Sequence, residues 1–388
     1  MINNNPQPLQ DLFLLDPQVV FLNHGSYGAT PRPVFESYQN WQRLLEWQPV
    51  EFFSRKASLY LQDARQALAA YFNTQPENLV YMTNVTAALN SVIKSLRLKP
   101  GDQVLTTNQE YGAIDRTWKF YAQKAGYEYI NLPIRLPLTT KEAYIDEFWR
   151  GVTPQTRVIF ISHISSPTSI IAPVQEICRR ARENNIITVI DGAHAPGQIP
   201  VDFLTIGADF YGGNLHKWLC APKGAGFLYA APRMQPLLDP LVVSFGWQSD
   251  QPGSSRLVDY FEYIGTRDLS AFLAVPDAIQ FQAQNHWEDY RVQAHCYAQE
   301  CVESISALTG IEPLYPADSD WYAQMVTIPL PEDIDPARFK ERLYNEFKIE
   351  APIIVWEGFK MIRLSFQAYN QHSDVMAIVS AVRSLISK

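Results

Sequence analysis

From residue 79 onward, short apolar runs alternate with segments whose apolar positions recur every three or four residues. The runs at 79–82, 103–107, 127–132, 157–162, 186–190, 210–212 and 226–229 are too short for helices, and most are rich in β-branched and aromatic residues. They read as buried strands. The patterns at 86–96, 113–125 and 174–184 read as helices between them. Such alternation predicts a mostly parallel seven-stranded sheet covered on both faces, the α/β class. Upstream, 33–71 carries a helical pattern throughout, and VVFLNHGSYGATP reads as a short strand entering a Gly-rich turn. Downstream, Pro, Gly, Ser and Trp crowd 231–255, which predicts irregular chain. A long helical pattern over 269–308 follows. The remainder, 310–388, reads as strand, helix, strand, helix, with strands at 323–328 and 361–366 and a last helix from Ser373. The predicted division is an arm at 1–20, punctuated by Pro6, Pro8 and Pro17, a large α/β domain at 21–255 and a smaller α+β domain at 256–388.

Composition narrows the function classes. At roughly 100–200 residues per domain, 388 residues agree with more than one domain. An apolar share of 47% with 19% charged residues excludes global disorder. Acidic residues outnumber basic ones by 40 to 32, a net charge of −8, so the chain has no general attraction for nucleic acid or anionic lipid. No run approaches the roughly 18 apolar residues of a membrane span, and MINNNPQPLQ lacks the basic and apolar regions of a signal peptide. The expectation is a soluble cytoplasmic protein with neither a nucleic-acid nor a membrane partner. Cys178, Cys220, Cys296 and Cys301 show no CxxC spacing, so no disulfide framework and no metal site is expected. Cys296 and Cys301 read as two buried core thiols.

Three segments carry candidate chemistry. In DFYGGNLHKWLCAPKGAGFLY, Lys217 lies in a turn packed by Trp218 and glycines, where burial disfavours the ammonium; a neutral amine forms a Schiff base with an aldehyde. In TVIDGAHAPGQIPVD, Asp191 ends a β-branched strand, where open α/β sheets put their sites. In YMTNVTAALNSVIKSL, a strand gives way to a helix whose free N–H groups, with the Thr86 hydroxyl, suit a phosphate. Singly, each has an ordinary reading: a solvated lysine, an aspartate capping a turn, an N-cap.

Together, in this order and with the lysine 26 residues after the aspartate, they resemble the fold-type I pyridoxal-phosphate enzymes. The likeness is to the class V aminotransferase group, which includes the cysteine desulfurases and the isopenicillin N epimerase-like proteins. It runs over about 20–388, and LNHGSYGATP with GTRDLSAFLAVPDAI is most similar to the epimerase-like branch. The resemblance implies pyridoxal phosphate as cofactor, with Lys217 forming the Schiff base and then moving the α-proton. It implies Asp191 on the pyridine nitrogen, and His194 near the phenolic oxygen where desulfurases carry Gln. Val85 and Thr86 would hold the phosphate, helped by Asn214 and His216, and Tyr111 would stack on the ring. Ser166 stands where desulfurases have Asn, with Ser165 an alternative for that contact. Thr266, in a loop resembling one that reaches into the neighbouring subunit, implies a homodimer with composite active sites. Arg363 would clamp the substrate α-carboxylate, and Asn23 and His24 would line the substrate side or hold the N-terminal arm. Tyr27, Trp247 and Arg267 would set specificity.

A persulfide-forming desulfurase needs a cysteine on a mobile loop of the C-terminal domain, and 320–360 contains none. Cys220 reads as packing. The reactions implied are amino-acid epimerisation first, then transamination or β-eliminating C–S lysis. A catalytically silent pyridoxal-phosphate fold used for binding, and an unrelated phosphate-binding α/β protein, are the readings from outside enzymology of this type.

Overall fold

The computed structural model describes residues 9–386; the first eight residues of the expected arm, Pro6 and Pro8 among them, lie outside the described residues. A short strand β1 (Val20–Phe21) is followed by seven strands of one sheet: β2 (Leu79–Met82), β3 (Gln103–Thr107), β4 (Glu128–Leu132), β5 (Thr156–Ser162), β6 (Ile187–Gly192), β7 (Phe210–Asn214) and β8 (Gly226–Ala230). Their order is β2-β8-β7-β6-β5-β3-β4, and β8 alone runs against the rest. The fold is α/β, as the alternation of short apolar runs requires. Neighbouring residues on a strand face opposite sides, and each side meets its own core. Val189, Phe210 and Leu228 pack with Trp118 and Phe160 on one face. Ile190, Tyr211 and Tyr229 pack with Phe203 and the helix Ala57–Tyr71 on the other.

A second sheet holds β9 (Met325–Leu330), β11 (Ile353–Trp356) and β12 (Phe359–Ser365), antiparallel in the order β11-β12-β9. The two-residue strand β10 (Ile349–Glu350) pairs parallel with β1. Helices Trp287–Thr309 and His372–Ile386 pack together, the first also against β9. The helix Val275–Gln284 packs on Arg32–Trp47 and Ala57–Tyr71.

Four points differ from the sequence reading. The 33–71 pattern is not one helix: Arg32–Trp47 stops at Gln48, because Pro49 has no N–H to continue the ladder, and the chain restarts through Phe52–Lys56 into Ala57–Tyr71. The 269–308 pattern divides into Ser270–Leu273, Val275–Gln284 and Trp287–Thr309, with a left-handed break at His286, φ 52°. Strand β11 was not anticipated. It pairs with β12 across Glu357 and Gly358, both at positive φ, a two-residue hairpin turn in which Glu stands where Asn or Asp is usual. Cys301 is buried but Cys296 is exposed; five residues on a helix turn the side chain to another face.

The start of the helix Val85–Ser95 is seated against β7 and β8 by the absence of side chains. A Cβ on Gly226 would stand 2.8 Å from Asn84 Cα and 2.9 Å from the Gly213 carbonyl oxygen. Gly226→Ala is therefore expected to lift this helix start from the sheet and lower unfolding stability by about 1–3 kcal/mol, measured by urea denaturation of the cofactor-free protein. Wild-type stability would contradict the close seating.

Candidate active site

The parallel strands deliver their C-terminal ends to one crevice, where open α/β sheets place ligands. Asp191, near the end of β6, is buried. Its Oδ1 accepts the Ala193 N–H at 2.9 Å, and its Oδ2 is buried with no hydrogen-bond partner among the described residues. Burial raises this carboxyl to about 6, against the Ala193 hydrogen bond and the positive charge of Lys217. A buried carboxylate oxygen without a donor is costly. A protonated ring nitrogen supplies the donor and the charge that it lacks.

Lys217 lies three residues beyond β7. Its turn is closed by Cys220 N–H on the Lys217 carbonyl and Ala221 N–H on the Leu215 carbonyl. Burial first, and the charge of Arg363 second, bring its amine down to about 7, with Asp191 opposing. Nζ stands 3.2 Å from His194 Nε2. His194 is buried, and its imidazolium is strongly disfavoured by burial and by the charges of Lys217, Arg363 and His216.

Arg363 projects from β12 and is 5% exposed. Its Nη1 donates to the Ser166 carbonyl at 2.8 Å and to the Ser166 hydroxyl at 3.1 Å, and its Nη2 donates to Ser26 Oγ at 3.0 Å. Nε is buried without a partner. No carboxylate pairs with this guanidinium among the described residues, which leaves a forked site for an anion.

The remaining candidates divide by what already engages them. Asn214 Oδ1 accepts the Val85 N–H at 2.9 Å, and Asn84, the N-cap, accepts from Ala87 at 2.9 Å. Val85 thus has its N–H spent, which corrects its expected role as a phosphate donor. The Thr86 N–H and hydroxyl at this helix start have no partner among the described residues. His216 Nδ1 lies 3.1 Å from the Ala225 carbonyl and donates to it, so Nε2 donates only when the ring is protonated. Burial holds that ring down at about 4, with Lys217 and Lys223 adding to the effect. Tyr111 is 44% exposed and begins the helix Gly112–Ala125. Its neighbour Glu110 is pinned by the Ser162 N–H at 2.8 Å, the Ser162 hydroxyl at 2.6 Å and the Thr107 hydroxyl at 2.7 Å. Ser162 pairs with Asp191 in the sheet, so Glu110 fastens the Tyr111 loop beside the aspartate.

Ser165 and Ser166 are resolved by their partners. Ser165 Oγ bonds to the Gln109 carbonyl and the Thr168 hydroxyl, a packing role, while Ser166 faces Arg363. His24 is fully buried, with Nδ1 3.0 Å from the Tyr369 hydroxyl and Nε2 3.0 Å from the Lys217 carbonyl. It supports the lysine turn from beneath and does not line the crevice, because both ring nitrogens are occupied. Asn23 joins Glu350, at 3.1 Å, to Ser26, at 2.5 Å. Ser26 was missed in the sequence; its signal, a hydroxyl in NHGSYG, gains meaning only through Arg363. Thr266 is exposed, its Oγ1 3.5 Å from the Tyr263 hydroxyl, and no bond joins it to the Lys217 turn. Tyr27 and Trp247 are exposed, and Arg267 lies over the Phe272 ring at 4.7 Å.

A family model described as "Aminotransferase class-V" matches residues 28–378. An isopenicillin N epimerase of Amycolatopsis lactamdurans is 34% identical over 384 residues, covering 96% of this chain and 96% of its own. A putative L-cysteine desulfhydrase 1 of Oryza sativa subsp. japonica is 30% identical over 409 residues, covering 95% of this chain and 83% of its own. Among solved structures, the cystine C–S lyase C-DES in complex with cysteine persulfide superposes with a TM-score of 0.82 at 24% identity, over 95% of this chain and 98% of that one. That last likeness is one of fold. No helix among the described residues is long and apolar enough to cross a membrane.

The lysine makes the site's cost measurable. Unfolded, Lys217 keeps its proton up to its ordinary 10.5, whereas folded it loses the proton above about 7. Between those values the unfolded chain binds more protons, so this group's penalty eases as pH rises. From about pH 7 to pH 8.5, below the cysteine range, Lys217→Met is expected to flatten the rise in stability with pH. It is also expected to raise the Tm of the cofactor-free protein at neutral pH by several degrees. Calorimetry across that window checks both; a parallel pH profile in the variant would contradict the buried-amine account.

Proposed function

Because the chain belongs to the class-V aminotransferase family, we propose that it is a pyridoxal-phosphate enzyme that epimerises the α-carbon of an amino acid, working as a cytoplasmic homodimer. The observation that carries this reading is unspent bonding capacity at three buried groups of one crevice: Asp191 Oδ2 without a donor, the Lys217 amine with its affinity for a proton lowered by burial, and Arg363 without an anion among the described residues. These are the complements of a ring nitrogen, a carbonyl carbon and an α-carboxylate. Asp191 would hold the pyridine nitrogen, the Thr86 end of the helix Val85–Ser95 the phosphate, and Tyr111 the ring face. Thr266 of a second copy would complete the phosphate site. When bound, pyridoxal phosphate supplies a conjugated ring that takes up the electron pair left as a bond to the α-carbon breaks.

The chain's own groups divide the remaining work. Arg363 exchanges neutral oxygens of Ser26 and Ser166 for the substrate carboxylate and so fixes the α-carbon's position. Lys217, in part a free base near neutral pH, moves the α-proton on one face, and a second donor, a tyrosine, a histidine or water, serves the other face for inversion. His194, neutral and buried, donates a hydrogen bond without adding charge. Epimerisation is the first reading because of the 34% likeness along the whole chain. β-Elimination from a cysteine-like substrate is the second, favoured by the desulfhydrase relative. It uses the same lysine and arginine and needs only a leaving group on the β-carbon.

Proton NMR in D₂O with pyridoxal phosphate and a panel of L- and D-amino acids separates the readings. Loss of the α-proton with growth of the opposite enantiomer is expected. A keto acid with ammonia would replace epimerase by lyase, and a keto acid formed only with an amino acceptor would replace it by aminotransferase. No exchange with any member of the panel would favour a binding protein. Lys217→Ala is expected to cut α-proton exchange by at least about 10³-fold; near-normal exchange would sink the mechanism. Thr266→Ala is expected to speed loss of cofactor on dialysis, and unchanged retention would count against the shared site.

A further inference from the structure

Trp218 follows Lys217 directly, and its indole is fully buried. The backbone at Gly197 presses so close that a Cβ there would overlap the Trp218 carbonyl carbon, at 2.3 Å. Gln282 Nε2 donates to the Trp218 carbonyl at 2.8 Å, and the His24 ring lies 5.1 Å away, centroid to centroid. The first two contacts fix the Trp218 backbone, and full burial with the His24 ring beside it confines the indole. Its N–H has one partner, His194 Nδ1, at 3.3 Å.

An indole N–H can only donate. His194 Nδ1 must therefore present its lone pair, and the neutral ring carries its proton on Nε2. That nitrogen faces Lys217 Nζ at 3.2 Å. An Nε2–H is satisfied there by the lone pair of a neutral amine. An ammonium would instead require a lone pair on Nε2, which moves the ring proton to Nδ1 and sets it against the indole N–H. We infer that Trp218 is a positioning residue, which fixes His194 in the Nε2–H tautomer and through it holds the Lys217 amine as a free base.

The charged groups around the pair act alongside this lock and are distinct from it. Arg363 on β12 disfavours positive charge at both Lys217 and His194, and His216 in the same turn does so at His194. Asp191 on β6 opposes Arg363 at Lys217. These fields act on net charge and select no tautomer; the indole N–H supplies the direction. When the amine is engaged elsewhere, the same lock leaves His194 Nε2–H as a neutral donor aimed into the crevice. The importance of this for catalysis rests on the proposed role of Lys217, but the tautomer is a property of the protein alone.

The test is NMR of the full chain, freed of cofactor and labelled with ring-¹⁵N histidine, with H194Q identifying the His194 signals. The expected result across neutral pH is an unprotonated Nδ1 and a protonated Nε2. An Nδ1–H tautomer or an imidazolium would overturn the inference. W218F keeps a large ring and removes the donor. In it, His194 is expected to become a mixture of tautomers. The Lys217 midpoint, read from competitive acylation of the amine against pH, is expected to rise by about half to one unit, a loss of about two- to fivefold in free amine at neutral pH. A folded W218F with unchanged tautomer and midpoint would also overturn it; if W218F does not fold, the wild-type spectrum decides. Failure to find α-proton exchange would leave both readouts intact, so the two proposals fail separately.

Discussion

Two cationic side chains, Lys217 and Arg363, are desolvated together in a crevice whose one buried carboxylate beside them is Asp191. Burial lowers Arg363 only to about 10, so it stays charged at neutral pH, and the proton that the crevice cannot keep is the lysine's. The settled arrangement is one guanidinium, one carboxylate, a neutral amine and a neutral imidazole. Uncompensated charge at this depth would cost several kcal/mol. Burial first, and the arginine's charge second, thus favour the neutral amine. The four groups come from three segments, Asp191 and His194 from one and Lys217 and Arg363 from two others far along the chain.

The N-terminal segment makes that convergence rigid. β1 adds to β10, and the next residues each reach a different part of the site. Asn23 bonds to Glu350, His24 bonds to the Lys217 carbonyl, and Ser26 bonds to Arg363. Ser365, at the end of β12, also takes its N–H bond from this segment, at the Leu22 carbonyl. A strap of a few residues therefore couples the lysine turn of the large sheet to the arginine strand of the small one. Displacing it would loosen both cations together.

The seven strands of the large sheet were legible because parallel strands are buried on both faces and show as short apolar runs between turn residues. Long helices were read too far at Pro49 and His286, where the apolar period continues although the backbone ladder does not. β11 was hidden by a Glu-Gly turn outside the usual hairpin vocabulary. In the site, the motifs of Lys217, Asp191 and Thr86 each have an ordinary reading alone, and it was their order and spacing together that marked them as candidates. His24 was left open between two roles and Ser26 was missed, since both owe their position to partners more than 190 residues away in sequence. Val85 was misread because the side chain that takes its N–H, Asn214, belongs to another strand. Periodicity reports which face a residue occupies, and it does not report what meets that residue there.

Arg363 shows how the crevice stays ordered without a substrate. Its fork rests on the Ser26 hydroxyl and on the Ser166 hydroxyl and carbonyl, all neutral oxygens. These fix the guanidinium in one plane at the cost of no ion pair. A carboxylate entering the proposed site replaces neutral acceptors by charged ones, and the gain is the difference between a charged and a neutral acceptor, about 1 kcal/mol for each bond, not a full buried salt bridge. Such a clamp binds an α-carboxylate firmly enough to orient it and loosely enough to release it. A buried carboxylate of the protein in the same place would hold the arginine more strongly and would also shut the substrate out.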